Sequence, residues 1–391
     1  MNNLWTETGY VSLNKTGEQL CGDRVEVTGG GEANHTTLVL ADGLGSGVKA
    51  NILSTLTSKI LCTMISGGMP IESCVETIAE TLPVCSVRKV AYSTFSIISV
   101  TDNEIAELIQ FDNPEIIVLR GGVRYDYPMT TRQIAGKTIH ESRFPVEEND
   151  VFIAMSDGAT YAGVGHALNH GWQRENIIDF AEANYLPGNS AKYIAGNIVD
   201  ECNRLYEGEP GDDTTVAVVR IRARHPVNLM IGPPSTKDQD IKMMNLFFAK
   251  QGEKIICGGT TATIASRYLH RELKPTLDYP DPEIPPISQL DGVDLVTEGV
   301  VTISRVLKYA EDFLNGTDLS ASWSTRRDGA SLIARELFEK ATDINFFVGR
   351  AINPAHQNPD LPITFGIKIQ LIENLAKCLE KMGKQIKVSY F

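Results

Sequence analysis

The chain has 391 residues, a length that suggests two domains, and its 42% hydrophobic and 22% charged content is that of a soluble globular protein. A net charge of −13 argues against nucleic acid or an anionic membrane as a general partner. No apolar run is long enough to span a bilayer and the N-terminus lacks a secretory signal. Seven scattered cysteines without a Cys-x-x-Cys pair fit a reducing cytoplasm, and not a disulfide framework or structural zinc site.

Residues 10–41 read as short strands with turns at Thr16-Gly17 and Gly29-Gly30-Gly31, and they carry a first acid, Asp23, ahead of Val25 and Val27. Leu38 to Asp42 reads as a buried strand running into a second acid. The backbone then turns on Gly43, Gly45 and Gly47, and a helix begins whose apolar stripe is Val48, Ile52, Leu53, Leu56, Ile60, Leu61 and Met64. It ends at Gly67-Gly68, and Pro70 opens another helix with Ile71, Val75, Ile78, Ala79 and Leu82 on its apolar face. Residues 93–100, 104–111 and 115–122 read as an antiparallel meander turned at Asp102-Asn103 and Asp112-Asn113-Pro114. The strand Val151 to Met155 ends in Ser156, Asp157 and Gly158. Helices near 173–184 and 190–206 follow, the second burying Ala191, Ile194, Ala195, Ile198, Val199, Cys202 and Leu205. Asp212 and Asp213 precede a closing strand over 215–221. Helices, strands, helices and a strand in this order predict an α+β sandwich, sheets inside and helices outside, over residues 1–224.

Near residues 222–228 the pattern changes. Strands at 227–232, 254–259, 293–299, 345–349 and 386–391 alternate with helices near 237–251, from Thr260, from Ile303 to Leu314, at 328–341 and at 366–382. This alternation predicts a mainly parallel three-layer α/β domain over 225–391, interrupted by a proline-rich loop at 272–292. Its strand ends carry residues 232–235, 258–261, 297–299 and 349–354, which gather at the carboxyl edge where such sheets bind ligands. Gly258, Gly259, Thr260 and Thr261, opening a helix, suit either an anion held by N–H groups and hydroxyls or an ordinary turn with a threonine N-cap. Sensing of a small-molecule effector, docking and dimerisation are all compatible roles for this domain.

An Asp-Gly pair alone is ordinary turn chemistry. What singles these out is recurrence: Asp23, Asp42, Asp157 and Asp212 all stand at strand ends. Two carboxylates at 4 Å repel by on the order of 4 kcal/mol at an effective dielectric of 20, so a cluster of them needs cations or protons. Oxygen donors without a histidine framework suit Mg²⁺ or Mn²⁺, and His35, His140, His166 and His170 show no metal spacing. Two such ions about 3.5–4 Å apart can share a bridging water that attacks phosphorus in line, without a covalent enzyme intermediate.

The stretches CGDRVEV (21–27), ADGLGSGVKA (41–50), STFSIISV with IQFDNPEIIVLRGG (93–122), NDVFIAMSDGAT (149–160) and GDDTTVAVVRI (211–221) resemble the metal-dependent type 2C serine/threonine phosphatases. Within them, residues 10–222 look most like the bacterial branch of the stage II sporulation protein E phosphatase domain. The resemblance implies an αββα sandwich holding two Mn²⁺ or Mg²⁺ ions at one end. Asp42 would bridge the ions and position the nucleophilic water. The Gly43 carbonyl would help hold one ion, Asp23 the other through bound water, and Asp157 and Asp212 would complete the set, with Asp213 just behind them. Two departures stand out. Leu44 occupies the place of a histidine proposed as general acid in eukaryotic members, and the phosphate-binding arginine has no clear counterpart beyond Arg24. The implied activity is removal of phosphate from serine or threonine of a bacterial regulatory protein, of the anti-sigma-factor antagonist class. The alternatives are a non-enzymatic switch that binds a phosphoprotein or metabolite, and a small-molecule phosphatase whose second domain delivers substrate.

Overall fold

Period-two alternation along the N-terminal strands is satisfied by two antiparallel sheets packed face to face. The computed structural model describes residues 3–29, 35–81, 93–165, 167–276, 279–315, 323–351 and 364–391. Gly30, Gly31, Leu82, His166 and residues 352–354, named above, lie outside them, as does Cys85, one of the seven cysteines. The chain divides into two units, Met1–Ala223 and Arg224–Phe391.

In the first unit β1 (Leu4–Leu13), β2 (Asp23–Thr28) and β3 (His35–Gly43) precede α1 (Gly47–Ser66) and α2 (Ile71–Thr81). Then come β4 (Ser93–Thr101), β5 (Ile105–Phe111), β6 (Ile117–Arg120), β7 (Val123–Arg124), β8 (Thr130–Ile134), β9 (Lys137–Pro145) and β10 (Asp150–Met155). Three helices, α3 (Asp157–Tyr161), α4 (Arg174–Ala183) and α5 (Ala191–Leu205), lead to β11 (Thr214–Ala223). One sheet runs β1-β11-β10-β6-β7 and the other β2-β3-β4-β5-β9-β8. Successive side chains of a strand point to opposite faces. Leu38 and Leu40 of β3, Phe152 and Ala154 of β10, and Ala217 and Val219 of β11 therefore meet between the sheets. Val39 and Ala41 turn outward onto Leu53, Leu61, Val75 and Ile78 of α1 and α2. Val151, Ile153 and Met155 turn outward onto Ile177, Ala195, Ile198 and Val199 of α4 and α5. The layers are αββα.

Two expectations are corrected. The meander stops after β5, and β6 pairs with β10 in the opposite sheet. Pro114 has no N–H to continue a ladder, Asp112 turns at φ 54°, and the Ile116 N–H donates to the Gln110 side chain at 2.6 Å in place of a strand partner. The stripe of α1 is also rotated from the one hydropathy selects. Val48, Ile52 and Leu56 are 63%, 52% and 44% exposed, while Ala50, Leu53, Ser54, Thr57, Ser58 and Leu61 face the sheet. The small residues let the helix lie close, and the Ser54 and Ser58 hydroxyls are satisfied by the helix's own carbonyls.

In the second unit β12 (Pro226–Ile231), α6 (Asp240–Phe248), β13 (Glu253–Cys257) and α7 (Gly259–Leu269) come first. They are followed by β14 (Lys274–Pro275), β15 (Ser288–Leu290), β16 (Val293–Thr297), α8 (Val300–Asn315), α9 (Gly329–Ala334), β17 (Asp343–Val348), α10 (Thr364–Lys381) and β18 (Gln385–Tyr390). The sheet order is β14-β15-β16-β13-β12-β17-β18. From β16 to β18 every pairing is parallel, and β15 and β14 add an antiparallel edge. Helices α8, α9 and α10 cover one face through Ile303, Ile333 and Leu375, and α6 and α7 the other through Met243, Phe247 and Ala262. Counting from β12, the parallel strands lie in the order 3-2-1-4-5, so direction of travel across the sheet reverses between β12 and β17.

The closeness of α1 to β3 can be tested at Gly43, where a Cβ would stand 2.2 Å from the Ala50 carbonyl oxygen. Gly43→Ala is expected to cost about 1–3 kcal/mol in thermal or urea unfolding. Gly188→Ala, which faces open space, should stay within about 0.5 kcal/mol.

Candidate metal centre

Strand parity brings the acids of the first unit together. Asp23 and Asp42 are cross-strand partners in the β2–β3 ladder. Asp42 lies on the same face as Leu38 and Leu40, and Asp23 on that of Val25, so both carboxylates point into the space between the sheets at its open end. The other sheet answers with Ser156, which follows β10 on the inward parity of Phe152 and Ala154. Its hydroxyl donates to Asp23 Oδ2 at 2.7 Å and accepts the Thr215 N–H at 2.9 Å. Asp157 opens α3 directly afterwards.

The turn before β11 is held against this pair by backbone contacts. A Cβ on Gly158 would stand 2.2 Å from the Asp213 carbonyl oxygen, and the Tyr206 hydroxyl donates to the Gly158 carbonyl at 2.8 Å. Neither Gly43 nor Gly158 has a positive φ; space, not backbone conformation, requires glycine after each aspartate. Asp212 Oδ1 accepts the Asp213 N–H at 3.0 Å. Asp213 Oδ1 accepts the Lys15 N–H at 3.0 Å, and the Lys15 ammonium stands 3.6 Å from Asp212 Oδ1. The second oxygen of Asp213 is buried with no hydrogen-bond partner.

This crowding shifts the carboxyl groups upward. Burial, and then the fields of Asp23, Asp157, Asp212 and Asp213, push Asp42 up to about 9. Burial raises Asp23 to about 7 against hydrogen bonds from Ser156 and Thr215. Asp157 is raised by burial and then by Asp212, while the Gly158 N–H and a hydrogen bond shared with Asp42 oppose the shift. Burial and the nearby Asp23 push the Cys21 thiol up to about 12, so it stays protonated and is no thiolate ligand. The aspartates thus form an all-oxygen donor set with an excess of buried negative charge and one orphaned carboxylate oxygen, a set that fits hard divalent cations.

The structure brings the five aspartates together: Asp42 feels the charges of Asp23, Asp157, Asp212 and Asp213, and Asp23 those of Asp213 and Asp157. Gly43 sits beside Asp42, its N–H donating to the Gly22 carbonyl at 3.2 Å. Arg24 is not brought in: alternation along β2 turns it to the side of Glu26 and Thr28, where it is exposed. Gly258, Gly259, Thr260 and Thr261 lie in the second unit, on the turn from β13 into α7. No threonine caps that helix: its N-cap is Gly258, at φ 113°, with no side-chain hydrogen bond. Sequence reading missed Ser156 and Lys15. Ser156 carried a signal, since the residue after Met155 must face inward, whereas nothing local marks Lys15. It also missed His225, Glu253 and Glu336 in the second unit, whose ligand atoms lie within 4.8 Å of one another; Lys340 already pairs with Glu336 there.

Residues 32–222 match the family model described as Stage II sporulation protein E. The curated Stage II sporulation protein E of Bacillus subtilis is 28% identical over 224 residues, which cover 55% of this chain and 25% of that protein. The chain therefore spans about a quarter of that relative's length. Among solved structures, the phosphatase domain of SpoIIE from Bacillus subtilis without domain swapping aligns at 22% identity and a TM-score of 0.44, covering 58% of this chain and 96% of that one. The PP2C phosphatase domain of the same protein with a fragment of its regulatory domain aligns at 22% identity and a TM-score of 0.48, over 57% and 65%. The RsbU and RsbW domains of Rv1364c from Mycobacterium tuberculosis align at 16% identity and a TM-score of 0.45, over 62% and 67%.

The raised carboxyls fix the sign of a pH dependence. A carboxyl with a higher pKa in the folded than in the unfolded state stabilises the fold below its unfolded value and loses that contribution as pH rises through the folded one. For Asp42 that window runs from 3.8 to about 9. With EDTA, the unfolding temperature of the first unit is expected to fall between pH 5 and pH 9. Added Mn²⁺ should restore it most at the alkaline end, and Asp42→Asn should flatten the EDTA profile. A wild-type EDTA profile that rises with pH would contradict the mutual repulsion.

Proposed function

From the stage II sporulation protein E-like, PP2C-type character of residues 32–222, we propose that this chain is a metal-dependent phosphoprotein phosphatase acting on phosphoserine or phosphothreonine of a bacterial regulatory protein. The observation that carries this reading is the convergence of five aspartates from two sheets, with Asp42 pushed up to about 9 by burial and its neighbours. Such a site is incomplete without cations. Asp42, with Asp23, the Gly43 carbonyl, Asp157 and Asp212, would hold two Mn²⁺ or Mg²⁺ ions, which supply an activated water and screen the phosphate charge.

The chain's own groups do the rest. Ser156 and the ladder behind it fix the direction of Asp23. Asp213 ties the Lys15 backbone to the acid turn and leaves its other oxygen buried toward Gly22. Lys15, already 3.6 Å from Asp212, is the cation we assign to the phosphate, in preference to Arg24 on the opposite face of β2. Leu44 cannot donate a proton, so the leaving group would be protonated by water or by another group of the site. The target class, an anti-sigma-factor antagonist in the cytoplasm, is taken from the family likeness. No helix among the described residues is long and apolar enough to cross a membrane. The second unit would serve in sensing, docking or dimerisation. Its reversal of strand order also favours a second reading, a small-molecule phosphatase, which parallel assays on phosphopeptide and metabolite panels would separate.

Phosphate release from a phosphoserine peptide should depend on Mn²⁺ or Mg²⁺ and vanish in EDTA. Asp42→Ala should lower it at least about 100-fold, since removal of even the groups that orient metal ligands costs 10–100-fold. Ser156→Ala should weaken metal affinity about 10–100-fold, raising the Mn²⁺ needed for half-maximal release, and be rescued by excess Mn²⁺. Undiminished release by Asp42→Ala would remove the assigned centre.

A further inference from the structure

The geometry points to a binding site in the second unit for the oxyanion group of a small ligand, in the crevice between the carboxyl ends of β12 and β17, with Lys368 as its counter-ion. In a doubly wound parallel sheet, ligands bind outside the carboxyl ends where strand order reverses. Here that place is flanked by Gly232 after β12 and by Gly349 to Ala351 after β17. The two glycines let the loops close on each other: a Cβ on Gly349 would stand 2.1 Å from the Pro233 carbonyl oxygen, and one on Gly232 would stand 2.5 Å from Lys368 Nζ.

Lys368 reaches this place from α10 and is 8% exposed. Its ammonium donates a long hydrogen bond, 3.3 Å, to the Ala351 carbonyl. Among the described residues no carboxylate pairs with it, and burial alone moves its pKa, downward. An ammonium taken from water without an opposite charge is strongly disfavoured. An apolar residue of the same length would pack there without that cost. A cation buried at a switch point and, among the described residues, lacking an anion is arranged for one that arrives with a ligand. The same edge holds Thr261, 1% exposed, its hydroxyl buried without a partner on the turn after β13, the strand beside β12.

The test uses the full chain carrying Asp42→Ala, in EDTA, so that anion binding at the metal centre does not contribute and phosphate release is not the readout. Inorganic phosphate, AMP and citrate are titrated by calorimetry, the three separating a free phosphate, a phosphate ester and a carboxylate as the source of the oxyanion. At least one is expected to bind in the millimolar range or tighter, with binding weakened at least 10-fold by K368M and less by K368R, which keeps the charge. Circular dichroism confirms that each variant is folded, and K368Q replaces K368M if the latter is not. Equal affinity in wild-type and neutral variants, or no binding of any probe below about 10 mM, would overturn the proposal. Neither result depends on whether the first unit hydrolyses phosphoproteins.

Discussion

The first unit is organised by repulsion. Its two sheets could close at the aspartate end with apolar residues, as they do a few residues deeper at Leu40, Ala154 and Ala217. Instead they close on carboxylates. One short contact, the Ser156 hydroxyl on Asp23, ties the sheets together at that level, and the same hydroxyl takes the Thr215 N–H. An acid from one sheet is thereby fixed by the backbone of the other. Ionising Asp42, buried beside four other aspartates, is costly. A divalent cation held there would offset that cost, which would make metal affinity and the packing of the sandwich one physical problem.

The alternation of strands made the acid set legible. Asp23, Asp42, Asp157 and Asp212 each follow or precede an apolar strand, and parity along β2, β3 and β10 then requires them to share one interior. The roles of the glycines were less visible. Gly43 and Gly158 read as turn residues, but their φ angles are ordinary, and each is glycine because a neighbouring backbone occupies the place of a side chain. Only contacts made in the folded chain, Ala50 seven residues on for the first and Asp213 for the second, carry that information.

Where sequence reading failed, a tertiary contact outweighed a local pattern. Hydropathy along α1 favoured Val48, Ile52 and Leu56, yet close approach to β3 selects Ala50, Ser54 and Ser58 for the buried face. The run from β4 through β6 looked like one meander, but the proline at 114 frees the chain to change sheets, and that change makes the sandwich closed instead of flat. Arg24 sits next to Asp23 in sequence and on the opposite face in space, whereas Lys15, eight residues away, stands beside Asp212. Adjacency along a strand is a poor guide to adjacency at a site.

The second unit obeys the same logic with opposite charge. Its sheet is parallel, so the carboxyl ends of its strands lie on one edge, and the reversal of order between β12 and β17 opens a crevice there. Gly232 and Gly349 let the two loops approach, as Gly43 and Gly158 do in the first unit, and what fills the space is an ammonium in place of carboxylates. Buried charge without a partner is tolerated in folded proteins chiefly where something else supplies the partner. On the proposals above, the aspartate cluster would take cations and Lys368 an anion, and each unit would have its own ligand chemistry. If the first unit hydrolyses phosphoproteins and the second takes an oxyanion, the chain would have the composition of an enzyme under metabolite control.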